Sequence, residues 1–295
     1  MAMRSWLFVP GDSEKKLSKA AGLGADVLII DLEDAVAPNS KALARNMATE
    51  WFNAHRHGSD AGATARKWVR INALDTSYWR ADVAAVIGSG LEGIMVPKAA
   101  GPQQLQMLSA ELYELEQRHR LPTNSIKILP LTSETAMAAL RIADYAIDPV
   151  PRLAGLTWGA EDLSAAIGAA RKRDASGAWT DLFRMIRSTT LLTAHARGVM
   201  PIDTLHADFR DEEGLKRVAS ASYADGFSGM LAIHPAQVPI INAAFSPTAE
   251  QIAEANAIVE AFAANPGIGA VQVDGRMVDQ PHLHQARRLL DTARR

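Results

Sequence analysis

The stretch LTWGAEDLSAAIG, Leu156 to Gly168, places two adjacent carboxylates, Glu161 and Asp162, just after a short apolar run that breaks at Gly159. A carboxylate delivered by a buried strand into a turn is costly unless a cation or a set of donors meets it. The preceding apolar run, Ile126–Thr132, delivers Glu134 in the same way. Glu134 and Asp162 are therefore candidate ligands of a hard divalent cation, because two carboxylates completed by waters and substrate oxygens commonly hold magnesium. The same residues fit an acid/base carboxylate pair, and SETA and AEDLS also read as helix starts, where acids meet the positive end of the dipole. Arg70 is the natural anion partner, since a guanidinium on an inward strand must face a carboxylate, a phosphate or a developing oxyanion. A structural ion pair with Asp31 or Glu33 is the competing reading.

The elements that must position these groups alternate. Short apolar runs at Ser5–Pro10, Val27–Asp31, Lys67–Asn72, Gly93–Lys98, Ile126–Thr132, Gly155–Trp158, Val199–Asp203 and Met230–His234 read as strands. Between them lie amphipathic helical patterns at Ser13–Gly24, Ser40–His55, Ser77–Gly88, Gln103–Arg120, Thr135–Ala146, Asp181–Gly198 and Glu212–Ala224, with an eighth near Pro247–Ala264. Eight such repeats predict a parallel sheet closed into a (β/α)8 barrel over residues 1–265. An open doubly wound sheet is the alternative, but no Gly-x-Gly-x-x-Gly follows any strand. Residues 266–295 depart from the rhythm and predict a small hairpin with Asp274-Gly275 at its tip, then a closing helix. Such an appendage packs on its own barrel or reaches a neighbouring subunit.

In a closed barrel the catalytic groups stand at the carboxyl ends of the strands. Asp31, Glu33, Asp34, Arg70, Asn72, Lys98, Glu134, Glu161, Asp162, Asp203 and His234 all fall at those ends. His234 reads either as a buried imidazole bonded to backbone or as a catalytic base. His55 and His57 sit on a polar helix end, and none of the eight histidines has zinc spacing.

Composition excludes other classes. There is no cysteine, so disulfides, thiolate nucleophiles and thiol zinc sites are ruled out. A formal net charge of −2 supplies no field for nucleic acid. The chain enters its first strand without a signal core, and no apolar run reaches membrane-spanning length, so a cytoplasmic protein with no membrane partner is expected. Neither a Gly-x-Ser-x-Gly elbow nor a Walker loop is present.

RSWLFVPGD, DLEDAV, VRINA, MVPK, SETA, WGAEDLSAAIG, DFRDEEGL, GFSGMLAIHPAQ and DGRMVDQP follow one another in an order that resembles the citrate lyase beta subunit-like family, with its malyl-CoA and citramalyl-CoA lyase relatives, in the HpcH/HpaI aldolase/citrate lyase superfamily. The resemblance covers nearly the whole chain. It implies a (β/α)8 barrel assembled as a homotrimer or hexamer, with Mg2+ held by Glu134 and Asp162 and Arg70 facing the substrate. It also implies that Asp279 acts from a neighbouring subunit on an acyl thioester. The expected activity is Mg2+-dependent cleavage of a short 3-hydroxyacyl thioester, of citramalyl-CoA, malyl-CoA or citryl type, into a 2-oxo acid and an acyl thioester.

In that chemistry Arg70 offsets the enolate charge, Asp279 protonates the enolate carbon, and the amides of Ala160 and Glu161 grip the acid's carboxylate. Asp31 and Glu33 would orient metal-bound waters, and Lys15, Lys16 and Lys98 are candidate coenzyme A phosphate contacts. Alternatives are an aldolase on free 2-oxo acids, a citryl lyase subunit working with an acyl carrier protein, and an acyl-CoA thioesterase. Two departures, Met230 where the family often has lysine and Met137-Ala138 where glycine often follows SETA, bear on the carrier and on the 2-oxo acid.

Overall fold

Alternation with a period of two runs through the barrel strands and decides which side chains fill the interior. The computed structural model describes residues 3–56 and 65–293; His57 lies outside them. Strands β1 (Ser5–Pro10), β2 (Val27–Asp31), β3 (Arg66–Arg70), β4 (Gly93–Val96), β5 (Lys127–Pro130), β6 (Gly155–Leu156), β7 (Met200–Asp203) and β8 (Gly229–Ala232) form one parallel sheet in the order β5-β4-β3-β2-β1-β8-β7-β6. Parallel bridges from Ile128 to Leu153 and from Leu131 to Thr157 join its two edges and close it. The expected barrel is present.

Trp6, Val27, Ile29, Trp68, Met95, Leu129, Ile202 and Leu231 form the inner cluster, while Leu7, Leu28, Ile30, Val69, Ile94 and Ile128 face the helices. Trp6 and Trp68 meet edge to face, with ring centroids 5.0 Å apart. Room for Trp68 comes from Gly93, where a Cβ would lie 2.6 Å from the indole. The inner row of β2 then climbs from Val27 and Ile29 to Asp31, and that of β3 from Trp68 to Arg70. Apolar packing thus gives way to charge at the carboxyl end of the same face.

The surrounding helices are α1 (Glu14–Ala20), α2 (Lys41–Ala54), α3 (Trp79–Val86), α4 (Pro102–Arg118), α5 (Ala136–Leu140), α6 (Asp144–Ile147), α7 (Ala160–Ala166), α8 (Asp181–Arg197), α9 (Glu212–Asp225), α10 (Gln237–Ala244) and α11 (Ala249–Ala264). The single helix expected over Thr135–Ala146 is broken in two at Arg141, whose guanidinium turns to Asp144, Gln103 and the carbonyl of Ala100. Helix α10 lies outside the expected helical patterns. Pro239 sits in its first turn, where a missing N–H leaves no intrahelical bond unmade.

The tail forms the hairpin β9 (Ala270–Val273) and β10 (Arg276–Asp279), with Asp274 and Gly275 both at positive φ, then α12 (Gln280–Ala293). It has its own apolar cluster, in which Val278, Leu283 and Ala286 pack on Ala255, Ile258 and Phe262 of α11. No helix among the described residues is long and apolar enough to cross a membrane.

Candidate active site

Register brings the first charged pair together. Asp31 of β2 lies directly opposite Arg70 of β3, and the guanidinium reaches it twice, Nε to Oδ1 at 2.7 Å and Nη2 to Oδ2 at 2.6 Å. Arg70 Nη1 is 3.0 Å from Glu33 Oε2 as an ion pair, and its plane lies over Phe8, 4.8 Å from the ring centroid. Burial opposes the charge of Arg70, but Asp31, Glu33 and Glu134 more than offset it, so its pKa is raised.

Glu134 is 4 % exposed at the carboxyl end of β5. One of its oxygens accepts the backbone N–H of Lys98. The other faces Gly159, where a Cβ would stand 2.9 Å from Glu134 Cγ and 3.3 Å from Oε1; glycine lets the two strand ends approach this closely. Ser133 fastens them, its Oγ accepting the Gly159 N–H at 3.1 Å. Burial pushes the Glu134 carboxyl up to about 8, with repulsion from Asp162 and Glu33 adding to it against the Lys98 amide and Arg70. A cation is what this pair calls for: a buried carboxylate raised by a second carboxylate, both oxygen donors, with one Glu134 oxygen left for a ligand. Among the described residues no third His, Cys, Asp or Glu joins a metal-ligating group, so the remaining positions would fall to water and substrate.

The raised carboxyl predicts a pH effect on the metal-free protein. A glutamate whose folded pKa, about 8, exceeds its ordinary 4.5 holds its proton more tightly folded than unfolded. Its contribution to stability is therefore intact below the lower value, falls as pH rises between the two, and is fully lost above the higher. With chelator present, wild type should lose thermal stability across this window relative to Glu134→Gln, and excess Mg2+ should restore it at the alkaline end. Parallel melting curves for the two proteins would contradict the assignment.

A cavity of about 570 Å3 opens at this rim, lined among others by Phe8, Asp31, Arg70, Glu134, Trp158 and Gly159 to Asp162. Helix α7 begins there with Gly159 as N-cap and no side chain capping its first amides, which leaves the N–H groups near Ala160 and Glu161 available. The Glu161 carboxylate turns away to Lys172. Lys15, Lys16 and Lys19 of α1 also line the cavity, and none is in an ion pair among the described residues.

Several expected residues are placed elsewhere or differently. Lys98 does not line the cavity: its ammonium is bound to Glu33 and lies 3.5 Å from Asp34, which removes it from the free cations proposed for coenzyme A phosphates. Asp31 is hydrogen-bonded to Arg70, and Glu33 lies between Arg70 and Lys98. Asn72 lies past the end of β3, where its amide is taken by Asp82 at 2.7 Å and by the Leu32 carbonyl. Asp203 is structural, accepting from Trp158 Nε1 at 2.7 Å, Arg187 at 2.9 Å and Ser222 at 2.6 Å. His234 is exposed rather than buried; it lines the cavity mouth and stacks on Phe209 at 4.6 Å.

Met230 is buried among the outward-facing core residues and Met137 is exposed on α5, so neither departure from the family pattern lines the site. Asp279 stays outside this chain's own cavity. It lies on the appendage 2.5 Å from His282 Nδ1, a bond that holds its carboxyl below the usual range. Sequence reasoning missed Lys19, which the i, i+3 and i+4 spacing from Lys16 and Lys15 could have placed on the same helix face.

Comparison with known proteins finds relatives over nearly the whole chain. The family model for HpcH/HpaI aldolase/citrate lyase matches residues 4–235. A citrate lyase subunit beta-like protein of Mycobacterium tuberculosis is 36% identical over 288 residues, covering 98% of this chain and 94% of the relative. A (3S)-malyl-CoA thioesterase of Cereibacter sphaeroides is 35% identical over 292 residues, with 98% and 94% covered. The mitochondrial citramalyl-CoA lyase of Rattus norvegicus is 33% identical over 301 residues, with 98% and 86% covered. The crystal structure of CitE from M. tuberculosis in complex with magnesium, acetoacetate and coenzyme A superposes with a TM-score of 0.78 at 35% identity, covering 100% of this chain and 99% of that one. The chain belongs to the HpcH/HpaI aldolase/citrate lyase family.

Proposed function

We propose that this protein is a Mg2+-dependent carbon–carbon lyase that cleaves a short 3-hydroxyacyl-CoA thioester, of malyl, citramalyl or citryl type, into a 2-oxo acid and an acyl-CoA. The observation that carries the reading is the meeting, in one cavity at the barrel's carboxyl rim, of the raised Glu134 carboxyl, Asp162, Arg70 and the lysines of α1, which make no ion pair among the described residues. Relatives named as citramalyl-CoA lyase and citrate lyase beta-like, and a neighbour solved with magnesium and coenzyme A, support it.

Glu134 and Asp162 would hold Mg2+, which supplies Lewis-acid polarisation and a template for a carboxylate and its neighbouring oxygen. The first amides of α7, at Ala160 and Glu161, orient the carboxylate of the acid portion. Cleavage breaks the C2–C3 bond as the 3-hydroxyl gives its proton to water in the cavity: the oxygen becomes the carbonyl of the 2-oxo acid, and the bonding pair passes to C2 as a thioester enolate. Arg70, pre-aimed by Asp31 and Glu33, offsets the charge developing on the enolate oxygen without reorganisation. Lys15 and Lys16, joined by Lys19, meet the phosphates of coenzyme A. Asp279, presented on the hairpin of a neighbouring copy in a homotrimer or hexamer and ionised at rest beside His282, takes up a proton from water and passes it to the enolate carbon.

The test is a screen of malyl-, citramalyl- and citryl-CoA with and without Mg2+. Release of a 2-oxo acid together with acyl-CoA supports the lyase. Free coenzyme A without a 2-oxo acid would instead make the protein a thioesterase, and no reaction with any of the three would overturn the reading. Asp279→Ala is expected to lower turnover about 100-fold, within the usual range for a lost general acid, with Mg2+ affinity unchanged. An aldolase on free 2-oxo acids would leave that variant nearly as active as wild type.

A further inference from the structure

Lys98 combines three features that its place after β4 does not require. It is a non-glycine residue in the left-handed region, at φ 50°, a conformation that side chains with a Cβ adopt reluctantly. Its backbone N–H is held by Glu134. Its ammonium is held by Glu33, the carboxylate whose other oxygen faces Arg70 Nη1 at 3.0 Å. The left-handed turn is what allows one residue to point its amide at β5 and its side chain back towards β2. Glu33 is 4 % exposed, and its Oε2 accepts no hydrogen bond despite the nearby guanidinium. Lys98 and Arg70 therefore compete for one buried carboxylate, and Lys98 holds the shared acid in an orientation where Nη1, although 3.0 Å from Oε2, makes no hydrogen bond to it.

Resting on the lyase reading, we propose that Lys98 is a positioning residue that couples the two halves of the site: its amide orients Glu134, and its ammonium restrains Glu33 so that Arg70 Nη1 stays open to the anion formed in the reaction. Arg70 spends Nε and one Nη2 proton on Asp31. With the lysine charge removed, Glu33 would be free to rotate and accept a hydrogen bond from Nη1. The amide clamp on Glu134 would survive, because any residue at this position carries the same N–H.

The two halves can be separated by experiment. Lys98→Met keeps the backbone amide and removes only the charge. Its kcat should fall about 10- to 100-fold, as for the loss of one preorganised donor. KM should stay within about threefold, because the interaction lost is made only in the transition state. The Kd of the metal-free protein for Mg2+, read by calorimetry, should stay within about twofold, since no metal-binding group is lost. Lys98→Arg should recover most of the rate, and the crystal structure of Lys98→Met should show Glu33 hydrogen-bonded to Nη1.

An unchanged kcat, a Glu33 that has not moved, a Mg2+ Kd that rises as far as in Glu134→Gln, or a Lys98→Arg no better than Lys98→Met would each overturn the proposal. Should Lys98→Met fail to fold, Lys98→Gln is measured by the same criteria. If wild type cleaves no thioester, the functional reading falls, while the Glu33 position and the Mg2+ titration still decide whether Lys98 acts as described.

Discussion

Asp162→Ala is expected to lower kcat/KM about 1,000-fold or more, because a lost metal site forfeits several kcal/mol of charge stabilisation and each ~1.4 kcal/mol is a factor of ten. Glu134 and Asp162 both line the rim cavity, and neither forms a salt bridge among the described residues. Glu134 is pushed up to about 8 by burial, with Asp162 next among the groups that raise it, so removing Asp162 also makes Glu134 easier to ionise. The remaining carboxylate is then a better anion but a poorer metal site, because chelation needs both. Calorimetric titration of Mg2+ into wild type and variant separates the effects: the wild type binds one ion per chain, and the variant shows no saturation at millimolar Mg2+. Glu161→Gln is the matched control, since its carboxylate is already committed to Lys172 and its backbone N–H is unchanged. A variant at Asp162 that keeps Mg2+-dependent turnover would remove the metal assignment.

The second large effect is on stability and lies at the opposite end of the barrel. Arg152 and Glu116 are both fully buried, bound to each other at 2.6 and 2.8 Å. Glu116 also accepts the N–H groups of Asn124 and Ile126 and the Ser125 hydroxyl, and Arg152 adds the Ile126 carbonyl and Ser109. Burial alone would raise the Glu116 carboxyl, but the bond from Arg152 and the backbone donors outweigh it and hold it below its ordinary value. Arg152→Met leaves Glu116 as a buried acid without its counter-ion and should cost about 3–5 kcal/mol of unfolding free energy. Adding Glu116→Leu removes the stranded charge, so the double variant should be less damaged than the sum of the single changes. Urea unfolding of the three proteins provides the cycle. Additive losses would mean that the pair does not act as a unit.

The fold was legible because its signals are local. A period of two within each strand, an amphipathic period between strands, and turn residues at the joins lie within a few residues of one another, so eight repeats and a closed sheet follow from pattern alone. Strand ends such as Asp31, Arg70, Glu134 and Asp162 were legible for the same reason: polar residues that stop an apolar run must leave the interior at its rim. The hairpin at Asp274-Gly275 is likewise written in its turn. Local pattern fails where a residue's surroundings outvote it, as when Arg141 splits one helix into two.

What only the tertiary structure decided is which rim charge meets which. The register of β2 against β3 gives Asp31 to Arg70, and the approach of β7 to β6 gives Asp203 to Trp158 rather than to the cavity. A left-handed backbone turns Lys98 from a surface cation into the link between Glu33 and Glu134. These partners lie 36 to 65 positions apart along the chain or follow from a single dihedral. No window of sequence contains them, whereas Coulomb energy in a buried site depends on the last few tenths of an ångström between them. Sequence by itself determined that carboxylates and an arginine would gather at one rim. Closure of the barrel decided that Glu134 and Asp162 line one cavity while Asp31 is committed to Arg70 and Glu33 to Lys98.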